Sequence, residues 1–242
     1  MATIRNLMAG ALALLATSAM AAPERADERR AMVADVQQLS AAGAVGLPRQ
    51  LSGRVLDAMG EVPRHLFVPQ AEQDRAYHQT ALEIGHEATI SQPYIVALMT
   101  DLARVQPGER VLEVGTGSGY QAAILSRLGA QVHTIEIVPE LAEQARARLA
   151  DLGYPNIEVR AGDGYRGWPE AAPFDAILVT AGATHIPPDL VAQLSPGGRM
   201  VIPVGPDGDS QQLAVVTRDL KGRVSERRLG KVLFIPLVEQ QP

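Results

Sequence analysis

The feature that most constrains the fold is an apolar strand that runs directly into three alternating glycines. Residues 111–119 read Val-Leu-Glu-Val-Gly-Thr-Gly-Ser-Gly, and an apolar helical stretch follows over residues 120–128. Because glycine lacks a Cβ, this loop can approach a ligand closely, and the free amides at the helix start would face that ligand. A second apolar strand ends at Glu136, about 20 residues on, where such folds place an acid that binds a ribose. The pattern predicts a nucleotide-type cofactor site; the alternative is an ordinary strand-to-helix turn.

The spacing of the glycines separates this loop from three other glycine-rich loops. A dinucleotide-binding loop would need glycine in place of Tyr120, and a phosphate-binding P-loop would need a lysine that is absent here. A hydrolase nucleophile elbow would need glycine in place of Thr116, two residues before Ser118. The pattern E-x-G-x-G-x-G instead resembles the first motif of the S-adenosylmethionine-dependent methyltransferases. The resemblance implies S-adenosyl-L-methionine as the cofactor and contacts to it from Glu113, Gly115, Thr116, Gly117 and Gly119.

Composition narrows the function classes. The chain has 242 residues and 46% hydrophobic content, which is enough for one large α/β domain. Its formal net charge of −5 gives no basic field for a polyanion, so nucleic acid is not an expected partner. Cysteine is absent, which excludes disulfides and thiolate catalysis. The five histidines are scattered and no cluster has metal-ligand spacing, so we expect no metal.

The first 22 residues have the pattern of a secretory signal peptide. Arg5 gives a short positive region, residues 7–16 are small and apolar, and small residues precede Pro23. The apolar run is shorter than the ~20 residues that a membrane-spanning helix needs. We therefore expect a periplasmic or secreted protein with no membrane attachment after cleavage. A misassigned start codon or a frayed amphipathic helix is the alternative, and it would leave the protein in the cytoplasm.

Beyond the leader, the sequence divides into two regions. Residues 23–105 are predicted to form an N-terminal helical cap on the substrate side, with helices at residues 31–39 and 51–59. Residues 106–242 alternate as a doubly wound, mostly parallel α/β sheet requires, and form the predicted cofactor-binding core. Its predicted helices lie at residues 120–128, 139–152 and 187–194, the last one stopped by residues 195–198. Its predicted strands lie at residues 110–114, 131–136, 157–161, 174–180, 199–203, 213–218 and 231–238, the last two forming an antiparallel C-terminal extension.

The ends of two predicted strands refine the cofactor and acceptor assignments. The third strand of the core is followed by Gly162-Asp163-Gly164, at the sheet edge where open α/β folds bind ligands. Asp163 is a candidate to hydrogen-bond the adenine amino group, with Gly164 allowing the ring to approach; an Asp-Gly turn without a ligand is the alternative. The next strand ends at Thr180 without the Asn/Asp-Pro-Pro motif of base methyltransferases, so methylation of bases loses support.

A stretch upstream of the glycine loop points to one family. Residues 88–97 read Ala-Thr-Ile-Ser-Gln-Pro-Tyr-Ile-Val-Ala, which resembles the signature of the protein-L-isoaspartate O-methyltransferases. The same resemblance extends in collinear order from about residue 29 to residue 238. Its other segments are residues 62–69, 115–123, 162–168, 172–177, 193–198, 201–205 and 234–237. It implies a Rossmann-like fold and isoaspartyl proteins and peptides as substrates; we expect a monomer.

The resemblance also implies a reaction. Such enzymes methylate the free α-carboxylate of an L-isoaspartyl residue, and the ester returns through a succinimide toward aspartate. Because a carboxylate with a pKa of ~3.9 is already ionised at neutral pH, no strong general base is needed. By resemblance, the hydroxyl of Ser91 lies beside the transferred methyl and binds the acceptor carboxylate, with Thr89 as a secondary candidate. The alternative is that Ser91 only caps a helix entered through Pro93.

The chain departs from the family pattern near the expected substrate entrance. His86-Glu87-Ala88 stands where the family usually has glycine and glutamine before the Thr-Ile-Ser run, and His78 stands where it usually has aspartate. A methyltransferase acting on another carboxylate or a small molecule therefore remains an alternative. A module that binds the cofactor without turnover is a further one, against which the presence of Ser91, Glu136 and Asp163 argues.

Overall fold

The structure is a computed structural model and describes residues 25–43, 47–206 and 209–239, so the predicted signal segment, residues 1–22, lies outside the described residues. Within these ranges the chain forms six α-helices and nine strands. In chain order they are α1 (Ala26–Ala42), α2 (Gly53–Glu61), β1 (Leu82–Gly85), β2 (Ala88–Ile90), α3 (Pro93–Ala103), β3 (Arg110–Val114), α4 (Tyr120–Arg127), β4 (Gln131–Glu136), α5 (Pro139–Asp151), β5 (Ile157–Ala161), β6 (Phe174–Val179), α6 (Pro188–Ala192), β7 (Leu194–Val204), β8 (Gln211–Arg218) and β9 (Val224–Val232). Short 3-10 helices lie at Arg64–Phe67, Gln70–Arg75 and Pro169–Ala171.

Seven of the described strands form one sheet in the order β5-β4-β3-β6-β7-β8-β9. The first five strands in this order run parallel, and β8 and β9 are each antiparallel to the strand before them. The chain winds outward from β3 through β4 to β5 and then returns to β6 on the other side of β3. This reversal is the switch point at which open α/β sheets bind ligands. The predicted doubly wound, mostly parallel fold with an antiparallel finish is confirmed.

The predicted elements agree with the structure best around the glycine loop. The bounds of β3, β4 and β5 are those predicted, and α4 and α5 each end one residue earlier than predicted. Short strands with near-continuous apolar runs, punctuated by glycine and proline, give this region its clear periodicity.

Two predicted boundaries in the C-terminal part are wrong. Residues 195–198 do not stop a helix but belong to β7, because a register shift opposite Phe174 and a positive φ of 88° at Gly197 let the strand pass through its glycines. The last strand is not residues 231–238 but β9, which starts directly after a turn in which Asp219 accepts hydrogen bonds from the amides of Lys221 and Arg223. The side chains of β9 are mostly exposed and many are charged, so a search for apolar runs did not predict this strand.

Of the three N-terminal helices, α3 packs on the sheet, whereas α1 packs on α2 and α3, and α2 packs on α3 and α4. Helix α3 is buried along most of its length and contacts β6 and β7. Met32 of α1, Val55 of α2 and Leu98 of α3 belong to the same buried apolar cluster as Val111 of β3 and Ile124 of α4. This shared cluster holds α3 and the β1–β2 hairpin before it in place relative to the sheet. The predicted division at residue 105 stays a prediction.

Candidate active site

A cavity of about 330 Å³ opens at the carboxyl ends of β3 and β4. Its walls are the β1–β2 hairpin with the start of α3, the glycine loop after β3, the end of β4, and residues 235–238. Eight of the ten predicted site residues line it together: Thr89, Ser91, Glu113, Gly115, Thr116, Gly117, Glu136 and Gly164. The sheet therefore assembles in one place residues that are up to 75 positions apart in the chain.

The glycine loop owes its shape to backbone conformation and close packing. Gly115, Gly117 and Gly119 have φ values of 98°, 50° and 86°, which glycine tolerates and other residues rarely adopt. A Cβ on Gly115 would lie 2.5 Å from Oγ1 of Thr180, so this position has no room for a side chain. The amide of Gly115 donates to the carbonyl of Ile135 at 2.9 Å, which ties the loop to β4.

Glu136 fixes the loop from the neighbouring strand. Its carboxylate is almost fully buried, with Oε2 accepting a hydrogen bond from the amide of Gly117 at 2.8 Å and Oε1 accepting one from the amide of Val138 at 3.1 Å. The acid that the sequence assigns to the ribose thus also determines the position of the loop, and it keeps its place on the cavity wall.

Glu113 is a buried carboxylate whose hydrogen bonding is incomplete. Its Oε2 accepts a hydrogen bond from the hydroxyl of Thr134 at 2.6 Å, and that hydroxyl also contacts the hydroxyl of Thr116 at 2.7 Å. Its Oε1 has no hydrogen-bond partner among the described residues. Burial raises the pKa of Glu113 to about 8, and the nearby charge of Glu136 adds to the increase. At neutral pH Glu113 is therefore mostly a protonated, uncharged carboxyl group, and its Oε1 is a buried polar atom that lacks a hydrogen-bond partner among the described residues.

The cavity is acidic. Glu87, Glu113 and Glu136 are among its described lining residues, and these include neither lysine nor arginine. A positively charged ligand fits such a lining better than an anion does. No group of His, Asp or Glu side chains in the described ranges is arranged to hold a metal ion.

Ser91 lies between β2 and α3 with its hydroxyl free. Gln92, not Ser91, is the N-cap of α3, and its side chain makes no capping hydrogen bond. In the first turn the amide of Tyr94 instead donates to Oε1 of Gln79 at 3.1 Å. The hydroxyl of Ser91 has no partner within the described residues, although its backbone carbonyl accepts a hydrogen bond from Arg64 at 2.8 Å. The Ser91 hydroxyl therefore does not cap α3, and it is an unused hydrogen-bond donor at the cavity wall.

Two predicted site residues do not line the cavity. Gly119 is the N-cap of α4, and a Cβ there would meet Leu149 of α5 at 3.1 Å, so its place in the structure is a helix contact. Asp163 accepts a hydrogen bond from the amide of Tyr165 at 2.9 Å, as an Asx turn does, while its neighbour Gly164 lines the cavity. Contacts of Gly119 and Asp163 with a cofactor stay predictions.

The sequence prediction missed one wall of the site. Residues 235–238 close the cavity because the amide of Gly182 donates to the carbonyl of Ile235, and the amide of Leu237 donates to the carbonyl of Gly182, at 2.8 and 2.7 Å. Apolar side chains left exposed after the last strand, such as Val238, were the available signal.

The altered residues near the entrance occupy different places. His86 and Glu87 form the tip of the β1–β2 hairpin and line the cavity. His78 is exposed and lies outside the lining. His86 and Glu87 thus lie on the cavity wall, and the expectation that His78 lies near the entrance stays a prediction.

A doubly wound sheet with a glycine loop and two carboxylates around a cavity at its switch point is the architecture of the Rossmann-like methyltransferases. Comparisons with known proteins identify the family within that class. The model of the family described as Protein-L-isoaspartate(D-aspartate) O-methyltransferase (PCMT) matches residues 37–242. Protein-L-isoaspartate O-methyltransferase 2 of Polaromonas sp. strain JS666 is 60% identical over 191 residues, 79% of this chain and 90% of that protein. The chain belongs to the protein-L-isoaspartate (D-aspartate) O-methyltransferase family.

Solved structures agree with this assignment. One protein-L-isoaspartate O-methyltransferase is similar with a TM-score of 0.75 and 28% identity, covering 86% of this chain and 65% of the other, just under two thirds of it. A candidate enzyme of the same name from Plasmodium falciparum, in complex with S-adenosyl-L-homocysteine, is similar with a TM-score of 0.73 and 25% identity. That similarity covers 88% of this chain and 99% of the other.

Proposed function

We propose that this protein transfers a methyl group from S-adenosyl-L-methionine to the free α-carboxylate of L-isoaspartyl residues in damaged proteins and peptides. The observation that carries the proposal is that one cavity combines the free hydroxyl of Ser91 with an acidic, glycine-lined wall. Below, the cofactor side means residues 113–117 with Glu136, and the acceptor side means residues 82–91.

The cofactor side fits a cationic cofactor. S-adenosylmethionine carries a sulfonium and an ammonium group, and the carboxylate of Glu136 on the cavity wall supplies the opposite charge. Glu113, whose pKa is raised to about 8, is mostly uncharged at neutral pH. The unpartnered Oε1 of Glu113 is a buried polar atom that needs a hydrogen-bond partner, which a bound ligand can supply. When bound, the cofactor supplies an activated methyl group. Because the demethylated product has lost the sulfonium charge, the acidic lining holds it less strongly, which favours its release.

The acceptor side needs to orient the substrate more than to activate it. The acceptor carboxylate, with an ordinary pKa of ~3.9, is ionised at neutral pH, so its oxygen attacks the methyl carbon without losing a proton. Holding the reacting groups in line contributes on the order of 7–11 kcal/mol in favourable cases. Ser91 donates a hydrogen bond to one carboxylate oxygen and leaves the other free to attack, with Thr89 beside it on the same wall.

The repair itself follows without the enzyme. The main-chain amide nitrogen of the next residue attacks the ester carbonyl, methanol leaves, and a succinimide forms. Water then opens this ring partly to a normal aspartyl residue. The protein is needed only for the methyl transfer.

The test is transfer of labelled methyl groups to an isoaspartyl peptide and its aspartyl twin. We expect label in the isoaspartyl peptide alone. Ser91→Ala should lower kcat/KM for the peptide about 10- to 100-fold, the equivalent of about 1.4–2.7 kcal/mol for a hydrogen bond to a charged group. Ser225→Ala is the matched control, because Ser225 lies on the edge strand β9, where its hydroxyl contacts the hydroxyl of Thr217. Equal label in both peptides, or binding of the cofactor without label in either, would contradict the proposal.

A second acceptor is favoured by one observation. His86 and Glu87, which depart from the family pattern, lie on the cavity wall. If the isoaspartyl peptide is not labelled, small carboxylic acids are the next acceptors to assay, and a negative result there would leave a module that only binds the cofactor.

We also infer that the protein is exported and acts as a monomer. The signal pattern of residues 1–22 supports export. The edge strand β9 supports a monomer, because its exposed Glu226, Arg227 and Arg228 oppose pairing with the edge of another sheet. The described residues include no helix long and apolar enough to cross a membrane. The intact mass of the protein recovered from the periplasm tests export, and a full-length chain would contradict it. The molar mass of the protein in solution tests the monomer, and a dimer would contradict it.

A further inference from the structure

Arg64 is a buried cation directly behind the acceptor side. Its side chain is fully buried at the start of the 3-10 helix Arg64–Phe67. The guanidinium donates from Nε to the carbonyl of Ala76 at 2.7 Å and from Nη2 to the carbonyl of Ser91 at 2.8 Å. Its third nitrogen, Nη1, has no hydrogen-bond partner among the described residues.

The charge of Arg64 has no carboxylate partner in the described part of the chain. The guanidinium instead stacks over the ring of Tyr120, 4.9 Å from its centroid, where tyrosine supplies a weaker attraction. Burial lowers the pKa of Arg64 to about 10, which still keeps the group protonated at neutral pH. A buried charge without a counter-ion is unfavourable for stability, so packing alone does not explain an arginine at this position.

Arg64 joins the two sides of the cavity. Ser91 belongs to the acceptor side, and Tyr120 is the first residue of α4, directly after the glycine loop. One side chain therefore touches the backbone that carries the acceptor hydroxyl and the helix that follows the cofactor loop. Arg64 itself is not part of the cavity wall, whereas Ser91 and Tyr120 both line it, so its effect on a bound ligand must pass through one of these two residues or through its charge.

Resting on the function proposed above, we propose that Arg64 is a positioning residue: it fixes the backbone of Ser91, and its unpaired positive charge favours the acceptor carboxylate at that hydroxyl. Among the described residues that line the cavity there is neither lysine nor arginine to attract an anionic acceptor, and Arg64 supplies a positive charge from behind the wall. In the protein interior such a charge is attenuated less than in water.

The experiment compares Arg64→Lys, which keeps the charge, with Arg64→Met, which removes it. We expect Arg64→Met to lower kcat/KM for the isoaspartyl peptide at least about tenfold, mainly through KM, and Arg64→Lys to lose less. The affinity for S-adenosyl-L-homocysteine, measured by calorimetry, should stay within about twofold in both variants. Arg54→Lys and Arg54→Met are matched controls, because Arg54 also binds two backbone carbonyls, of Val105 and Leu128, away from the cavity.

A double-mutant cycle with Ser91→Ala separates positioning from general support of the fold. If Arg64 acts through Ser91, the combined loss should be smaller than the product of the two single losses. The proposal would be overturned if the loss of kcat/KM in the double variant equals the product of the two single losses. It would also be overturned if the Arg64 variants lose as much affinity for S-adenosyl-L-homocysteine as they lose in kcat/KM. Where Arg64→Met does not fold, Arg64→Gln takes its place, and equal activity of Arg64→Gln and Arg64→Lys would contradict the role of the charge. A wild-type protein that labels no isoaspartyl peptide would instead refute the proposed function.

Discussion

The cofactor side and the acceptor side of the cavity are built in different ways. On the cofactor side, glycines occupy the positive-φ positions, and both oxygens of Glu136 accept backbone amides. On the acceptor side, two non-glycine residues, His86 and Glu87, have φ values of 53° and 59°, and the hydroxyl of Ser91 has no partner in the described residues. Strain and unused donors are therefore concentrated where the proposed substrate enters.

The difference suggests separate tasks. A loop whose conformation is fixed by close packing and hydrogen bonds holds a cofactor that is the same in every turnover. The acceptor differs from one damaged protein to the next, and unused polar groups become satisfied only when it binds. Glu113 is the exception on the cofactor side, because its unpartnered oxygen is buried among otherwise satisfied groups. Strained or unsatisfied groups at a site are a reason to expect function there.

The largest effect should follow from filling the tightest position on the cofactor side. Gly115→Ala adds a Cβ 2.5 Å from Oγ1 of Thr180 at a φ of 98°. We expect about 3 kcal/mol or more of destabilisation and loss of S-adenosyl-L-homocysteine binding, because clash and backbone strain act together. Urea unfolding and calorimetry measure these two quantities.

Gly108→Ala is the matched control for this prediction. Gly108 has a φ of 84°, but a Cβ there would meet no atom within 4 Å. Its substitution should cost only the left-handed strain, about 1–2 kcal/mol, and leave binding intact. Equal effects of the two substitutions would show that packing at Gly115 does not define the cofactor side.

A pH-dependent effect should come from Glu113. Its pKa of about 8 in the folded protein lies above the ordinary value of 4.5, so between these values the folded protein keeps a proton that the unfolded chain has lost. Raising the pH through this window therefore destabilises the fold, by at most about 1.4 kcal/mol per unit. Glu113→Gln removes the titration while its side-chain oxygen can still accept from Thr134, so its stability relative to wild type should rise from pH 5 to pH 8.

Urea unfolding at four pH values in this range checks the prediction. Glu158→Gln is the control, because this carboxylate is largely exposed at the sheet edge. If the free energies of unfolding of the wild type and Glu113→Gln fall in parallel as the pH rises, Glu113 is already ionised in the folded protein. Its unpartnered oxygen then does not set it apart from Glu136.

The same comparison explains how far the sequence predicts this molecule. The cofactor side follows from the chain because local rules act there: strand period, glycine conformation and the acid one strand away. The acceptor side depends on tertiary contacts. The β1–β2 hairpin turns at His86-Glu87, which is not a favoured hairpin pair. Arg64 is fully buried, although arginine is mostly exposed in proteins. No local sequence pattern predicts its hydrogen bond to the carbonyl of Ser91.

The C-terminal wall of the cavity escaped prediction for a related reason. Residues 235–238 lie beside the end of β6 through the contact between Gly182 and Pro236, which joins positions far apart in sequence. Asp163 shows a different limit: the sequence left open an adenine contact or an Asx turn, and the structure shows its carboxylate accepting the amide of Tyr165, while the adenine contact stays a prediction. Residue type at the end of a strand therefore does not by itself determine which group the side chain binds.

The smallest effect concerns the strain on the acceptor side. Glu87 occupies the second position of a two-residue hairpin turn with a positive φ, where glycine is strongly favoured. Glu87→Gly should therefore stabilise the fold by about 1 kcal/mol in urea unfolding and leave the affinity for S-adenosyl-L-homocysteine unchanged. Glu83→Gly, on the exposed face of β1, is the control and should destabilise by about 0.5–1 kcal/mol. A less stable Glu87→Gly variant would mean that the side chain of Glu87 makes a contact worth more than the strain, and the acceptor side would then be no more strained than the cofactor side.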